Sequence, residues 1–168
     1  FHKSIRMSNK VNVVILNGFL GSGKTTLFKN LLSQSKKKEI PICAIVNDMS
    51  ELDVDGELIA NTEVVEENSH IMESIPSCVL SSKKGIQKLD EAIKKLLSNQ
   101  SPNLIIIETS GSCHPLPLVE FFQDNLNVRL TGLFTLVDSL MLSHDYNYGE
   151  TLISKMQENI SKGKRDTV

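Results

Sequence analysis

An apolar strand that runs straight into a glycine-rich turn and then a helix leaves a chain few ways to fold. Residues 11–26 have that form: Val11-Asn-Val-Val-Ile-Leu-Asn-Gly18-Phe-Leu-Gly21-Ser22-Gly23-Lys24-Thr25-Thr26. The turn fits the G-x-x-x-x-G-K-[ST] pattern of a phosphate-binding P-loop. Gly18, Gly21 and Gly23 let backbone N–H groups converge on phosphate oxygens, Lys24 reaches the β and γ oxygens, and the Thr25 hydroxyl can ligate Mg²⁺. Ser22 and Thr26 complete the cradle, and a helix beginning near Thr25 adds the positive end of its dipole. A turn that served packing alone would need neither this spacing nor a lysine at its centre. Leu27, Phe28, Leu31 and Leu32 then recur at helical spacing and should bury one face of that helix.

The remainder of the chain alternates strand and helix signals. Short apolar runs predict strands near Val11 to Leu16, Ile40 to Val46, Asn103 to Ile107 and Thr131 to Val137, as expected of strands buried on both faces. Helices are expected at Thr25 to Ser35, Lys84 to Ser98 and Leu116 to Asp124, with a fourth near Gly149 to Ser161. In the second of these, Ile86, Leu89, Ile93 and Leu97 form the buried stripe. The expected fold is an α/β three-layer sandwich of the P-loop NTPase type with a mostly parallel sheet. A length of 168 residues fits one domain over 11–168, with residues 1–10 a polar leader or expression remnant. The formal charge of −2 and the absence of a basic stretch interleaved with aromatics argue against a nucleic-acid partner. Lys36, Lys37 and Lys38 suit the end of the first helix.

A second chemical segment is Leu104-Ile-Ile-Ile-Glu108-Thr109-Ser110-Gly111, an apolar strand that ends in a carboxylate. About 80 residues after the P-loop, Glu108 stands where a Walker B acid is required. Such an acid, at the carboxyl end of a neighbouring strand, holds a water of the Mg²⁺ ion or polarises the attacking one. Gly111, lacking a side chain, can offer its N–H to a γ-phosphate. Between the two segments lies Val46-Asn-Asp48-Met-Ser-Glu51-Leu-Asp53-Val-Asp55-Gly, placed as a switch loop. Its four acids are hard oxygen ligands suited to Mg²⁺ or a second metal; Asp53 and Asp55 fit a solvated loop with Asx turns equally well.

Taken in order, the P-loop, Val46-Asn-Asp-Met-Ser-Glu-Leu-Asp-Val-Asp, Ile107-Glu-Thr-Ser-Gly and Pro115-Leu-Pro-Leu resemble the CobW-like GTPases. These are metal chaperones related to the nickel-insertion GTPases of urease and hydrogenase maturation, and the Asn-Asp-Met-Ser-Glu wording looks like their zinc-responsive bacterial branch. The resemblance covers about Val11 to Val137. It implies GTP binding by Gly21 to Thr26, Mg²⁺ ligation by Thr25, and GTP hydrolysis coupled to delivery of a metal such as zinc to a client protein. Lys24 and Glu108 take the catalytic positions, and Asp48 and Glu51 fall on the family's acidic switch positions. Asp138 matches a family Val-Asp segment and reads as a strand-end turn acid.

Two departures accompany the resemblance. Family members carry a C-x-C-C motif whose thiolates suit zinc. Here the stretch reads Cys78-Val79-Leu80-Ser81, so only Cys78 survives, with His70, Glu73 or His114 as its available co-ligands. The Asn-Lys-x-Asp element that reads guanine is missing, and the chain stops at Val168, so the domain reads as partial and its sheet as incomplete at that end. An unpaired sheet edge leaves room for a homodimer. Cys43 sits in a predicted core strand. A nucleophilic pair of Cys113 and His114 would need a geometry that residues adjacent in sequence rarely supply, and Pro115 suits the start of the next helix. Three cysteines without a disulfide spacing point to the reducing cytosol, and no apolar run approaches the roughly 20 residues that span a bilayer. Three functions stay open on the residues: the nucleotide-binding half of a metallochaperone GTPase, a regulatory module that has lost metal transfer, and a P-loop ATPase or kinase. The last needs an arginine lid, for which Arg129 and Arg165 alone are available late in the chain.

Overall fold

A computed structural model describes residues 10–47 and 71–144. Asp48, Glu51, Asp53, Asp55, His70 and the helix expected at 149–161 lie outside the described residues. The chain divides into two compact units, one ending at Leu136 and one beginning at Val137.

The first unit contains β1 (Val11–Gly18), α1 (Lys24–Lys37), β2 (Ile42–Val46), β3 (Met72–Ser74), α2 (Lys83–Asn99), β4 (Leu104–Glu108), α3 (Leu116–Asp124) and β5 (Val128–Leu136). The strands form one five-stranded sheet in the order β3-β2-β4-β1-β5, with every neighbouring pair parallel. The sequence expectation of an α/β parallel fold therefore holds.

Alternation along the strands sorts their side chains into two apolar layers. Leu16, Ala44, Val46 and Ile106 face Phe28 and Leu32 of α1, with Leu27 and Leu31 packed at the margin. Val13, Ile15, Cys43, Ile45, Ile105 and Ile107 face the other way, onto Leu89, Ala92, Ile93 and Leu96 of α2 and Leu118 and Phe122 of α3. Ile105, Ile106 and Ile107 are all at most 1% exposed, so β4 is covered on both faces. Burial of each such side chain contributes about 1.5–3 kcal/mol relative to exposure.

Several boundaries differ from the sequence expectation, each for a local reason. β2 starts at Ile42 because Pro41 has no N–H and the Ile40 N–H donates to Ser35 O at 3.0 Å, closing the end of α1. β5 starts at Val128, three residues before the expected Thr131, and shifts register between Val13 and Val14 of β1. Thr131 falls at that bulge, and its hydroxyl donates to Val13 O at 3.0 Å. β3 was not anticipated; three residues carry no readable period, and its pairing is supplied by β2. In the second unit Asp138 accepts the N–H groups of Leu140 and Met141 at 2.8 and 3.2 Å, capping the short α4 (Ser139–His144).

The entry to α2 offers a measurable contrast. Ser82 caps it by accepting the Gly85 N–H at 3.0 Å, while Leu89, one turn further, is fully buried. In urea unfolding, Ser82→Ala should cost about 1 kcal/mol and Leu89→Ala about 2–5 kcal/mol; equal costs would contradict the packing described.

Candidate functional site

The carboxyl ends of β1, β2 and β4 lie side by side, because Leu16 pairs with Glu108 and Glu108 with Val46. Chains leaving parallel strands at such ends create the crevice in which α/β proteins bind ligands. The P-loop fills it. Gly18, Gly21 and Gly23 all adopt positive φ (141°, 79° and 91°), and α1 begins directly after Gly23 with no side-chain cap. Its first N–H groups are therefore open to an anion.

Lys24 is only 7% exposed, and its ammonium donates to Gly18 O and Phe19 O, both at 2.8 Å. Burial pulls its pKa below the usual lysine value, and the nearby Glu108 carboxylate opposes that shift. The Thr25 hydroxyl donates to Glu108 Oε1 at 2.5 Å, joining the start of α1 to the end of β4. Lysine, hydroxyl and carboxylate thus converge at one mouth. The hydroxyl oxygens of Ser22 and Ser110 are buried without a protein partner, a state that buried polar groups normally avoid. A phosphate oxygen or an ordered water at the crevice would satisfy them. The Ser110–Gly111 turn lies against the P-loop so closely that a Cβ on Gly111 would fall 2.8 Å from Leu20 N.

Sequence reasoning missed two asparagines beneath this mouth. Asn17 accepts the Thr109 hydroxyl at 2.8 Å, fixing the turn after β4 to the end of β1. Asn47, 4% exposed, donates its carboxamide N–H groups to Ile75 O at 2.9 Å and Cys78 O at 2.7 Å. Its carboxamide oxygen accepts the Ser110 N–H at 3.4 Å, and its own backbone N–H donates to Glu108 O at 2.9 Å. The available signal was strand alternation: Asn47 continues the inward set Cys43 and Ile45, so a polar residue at that parity needs partners.

The match to known families decides the assignment. The model of the CobW/HypB/UreG nucleotide-binding domain matches residues 12–165. This chain belongs to the CobW/HypB/UreG family. Among curated proteins it is 32% identical to a zinc-regulated GTPase metalloprotein activator 1 of Dictyostelium discoideum, over 99% of this chain and 38% of that protein. A zinc chaperone CobW of Sinorhizobium sp is 34% identical over 77% of this chain and 37% of its own length. The chain thus spans less than two fifths of the length of either relative. Among solved structures, the Zn(II)-bound YjiA GTPase of E. coli superposes with a TM-score of 0.52 at 24% identity, over 83% of this chain and 44% of that one, a likeness of fold.

The cysteines of this CobW/HypB/UreG member are packed inward. Cys78 is 8% exposed and belongs to the cluster that holds Leu80, Leu89 and Ile93. Among the described residues no three His, Cys, Asp or Glu side chains gather as a metal site. Glu73 is engaged by Lys95 at 2.7 Å, and the His114 ring accepts the Leu116 N–H at 3.4 Å. Burial raises the thiol pKa of Cys43 and of Cys113, the latter partly offset by hydrogen bonding with Ser81. Both stay as thiols, poor nucleophiles and poor ligands.

Within the loop, the glycines are unequal. A Cβ on Gly18 would clash with Leu136 O and sit 2.8 Å from Ser22 Oγ, whereas one on Gly21 would meet open space. Gly21→Ala should cost about 1–2 kcal/mol of left-handed backbone strain, and Gly18→Ala more, with overpacking adding about 1–3 kcal/mol. Chemical denaturation of the two variants in parallel checks the order.

Proposed function

We propose that the chain is the nucleotide-binding part of a GTP-hydrolysing zinc chaperone. The convergence of Lys24, Thr25 and Glu108 at the P-loop mouth carries this reading. The zinc-related names of the relatives support the cargo, and the GTPase in the name of the Dictyostelium discoideum relative supports guanine over adenine.

In this mechanism the loop N–H groups from Gly21 to Thr26 and the N–H of Gly111 bind the phosphates, with Gly18 setting the turn. Lys24 exchanges the Gly18 and Phe19 carbonyls for β- and γ-phosphate oxygens, which restores to its ammonium the anionic partners that burial withholds. Thr25 and Glu108 fit Mg²⁺ because both present hard oxygens at one point; Thr25 would hold the ion directly and Glu108 through a water. When bound, such an ion would supply positive charge to offset the negative charge that develops during transfer. Asp48 and Glu51 remain the proposed switch acids. The protein's proposed partners are guanine nucleotide and a metal-requiring client in the cytosol, with a homodimer as its proposed assembly. No described helix is long and apolar enough to cross a membrane.

Lys24→Ala should weaken binding of a fluorescent GTP analogue by at least about tenfold, the loss of a charge-assisted hydrogen bond of about 1.5–3 kcal/mol, while far-UV circular dichroism is retained. Glu108→Gln should lower kcat far more than affinity. In competition, GTP should displace the analogue better than ATP; the reverse order would sink the guanine assignment.

The burial of Cys78 favours a second reading, a regulatory module that keeps the nucleotide site without metal transfer. Zinc titration of the full-length protein against a chromophoric chelator separates the two. Nucleotide-sensitive zinc binding supports the chaperone, and GTP turnover without zinc binding supports the regulator.

A further inference from the structure

The pairing of β1 with β4 ends at Leu16 and Glu108. Beyond it β1 enters the P-loop and β4 enters the Ser110–Gly111 turn, so strand pairing no longer sets the distance between the two. The next residue of each strand sets it instead. Thr109 donates its backbone N–H to Leu16 O at 3.0 Å and its hydroxyl to Asn17 Oδ1 at 2.8 Å. Leu16 O, 3.3 Å from the same hydroxyl, is the weaker of its two acceptors.

Both side chains are enclosed, Asn17 at 8% and Thr109 at 1% exposure. Strand alternation makes them the next members of two apolar rows, Val13 and Ile15 on β1 and Ile105 and Ile107 on β4, which face α2 and α3. Packing alone would continue those rows with two more apolar residues. Exchanging both partners of a buried hydrogen bond for apolar groups of the same shape is close to neutral for stability, so stability does not account for a polar pair at this place. What the pair adds is direction, and its neighbours are the groups assigned to the reaction. Asn17 precedes Gly18, whose carbonyl accepts the Lys24 ammonium at 2.8 Å. Thr109 lies between Glu108 and the Ser110–Gly111 turn, where a Cβ on Gly111 would fall 2.8 Å from Leu20 N of the P-loop.

We propose that Asn17 and Thr109 are a positioning pair for GTP hydrolysis, holding Glu108 and the Ser110–Gly111 turn at the distance from the P-loop that the reacting γ-phosphate requires. This rests on the nucleotide reading above. In hydrolysis a water oxygen bonds to the γ-phosphorus as the oxygen bridge to the β-phosphate breaks, releasing GDP and inorganic phosphate. Misplacing groups around the reacting centre by about 1 Å can slow such a step by about a hundredfold. GDP lacks the γ-phosphate, so its affinity does not draw on the turn.

The test uses the full-length protein, with turnover followed by phosphate release and GDP affinity by a fluorescent analogue. Asn17→Leu combined with Thr109→Val removes the hydrogen bond and keeps the volume. It should lower kcat by about tenfold or more, with GDP affinity and the urea midpoint held. Thr109→Ser, which keeps the hydroxyl, should retain most of the wild-type kcat, while Thr109→Val alone should be as slow as the double variant, because each breaks the same bond. A double variant with the wild-type kcat per folded molecule marks a merely structural pair and overturns the proposal. So does a Thr109→Ser enzyme as slow as Thr109→Val, the contrast that decides should the double variant fail to fold. A wild type that neither binds nor hydrolyses GTP defeats the functional reading and this proposal together, whereas ordinary wild-type turnover with unaffected variants defeats the proposal alone.

Discussion

The contact between the Thr25 hydroxyl and the Glu108 carboxylate constrains the site more than any other interaction. It requires α1 to start at one point and β4 to end beside it, which follows only if β4 lies next to β1 in parallel register. With Leu16 opposite Glu108, strand alternation places the carboxylate on the α1 face. A slip of one residue would send Glu108 to the α2 face and put Ile107 at the mouth. The isoleucines at 105, 106 and 107 oppose such slips, because each is buried in its own layer.

The same contact governs the electrostatics. A carboxylate 6% exposed and an ammonium 7% exposed each lose hydration, a cost of several kcal/mol per ion even after relaxation. Glu108 accepts the Thr25 hydroxyl, and Lys24 donates to two carbonyls, so each charge is hydrogen-bonded. Burial nevertheless wins for Lys24, whose pKa falls. The two apolar layers tolerate this unfavourable mouth because they are complete without it. The proposed phosphate ligand would bind where the protein is least satisfied and would stabilise the folded state by mass action.

Legibility in the sequence followed the length of each signal. β1, the P-loop and α1 were readable because strand period, glycine spacing and helical period run together over residues 11–35. Glu108 was readable from the apolar run that precedes it. β3 was not, since Met72–Ser74 gains its strand character from pairing with β2 and has little of its own. The bulge at Thr131 hid the start of β5, because one extra residue breaks the period on which a strand is recognised. Asn47 was read only as the first polar residue of an acidic loop. Its four hydrogen bonds go to residues up to 63 positions away, and no local pattern encodes partners that the sheet alone brings together.

Those distant partners bear on why the thiols of the C-x-C-C pattern and the phosphate chemistry can change separately. Leu80, at the second cysteine position, is fully buried against the same cluster as Cys78, and Ser81 hydrogen-bonds toward Cys113 and His114. An apolar anchor at that place draws the loop into the core, where a thiolate would be desolvated and unable to gather ligands. The P-loop mouth uses none of these side chains. What joins the two regions is backbone: the Ile75 and Cys78 carbonyls on one side and the Ser110 N–H on the other, bridged by Asn47. Side-chain replacement in the 78–81 stretch can therefore remove metal ligands while leaving that hydrogen-bonded link, and the nucleotide site beyond it, intact.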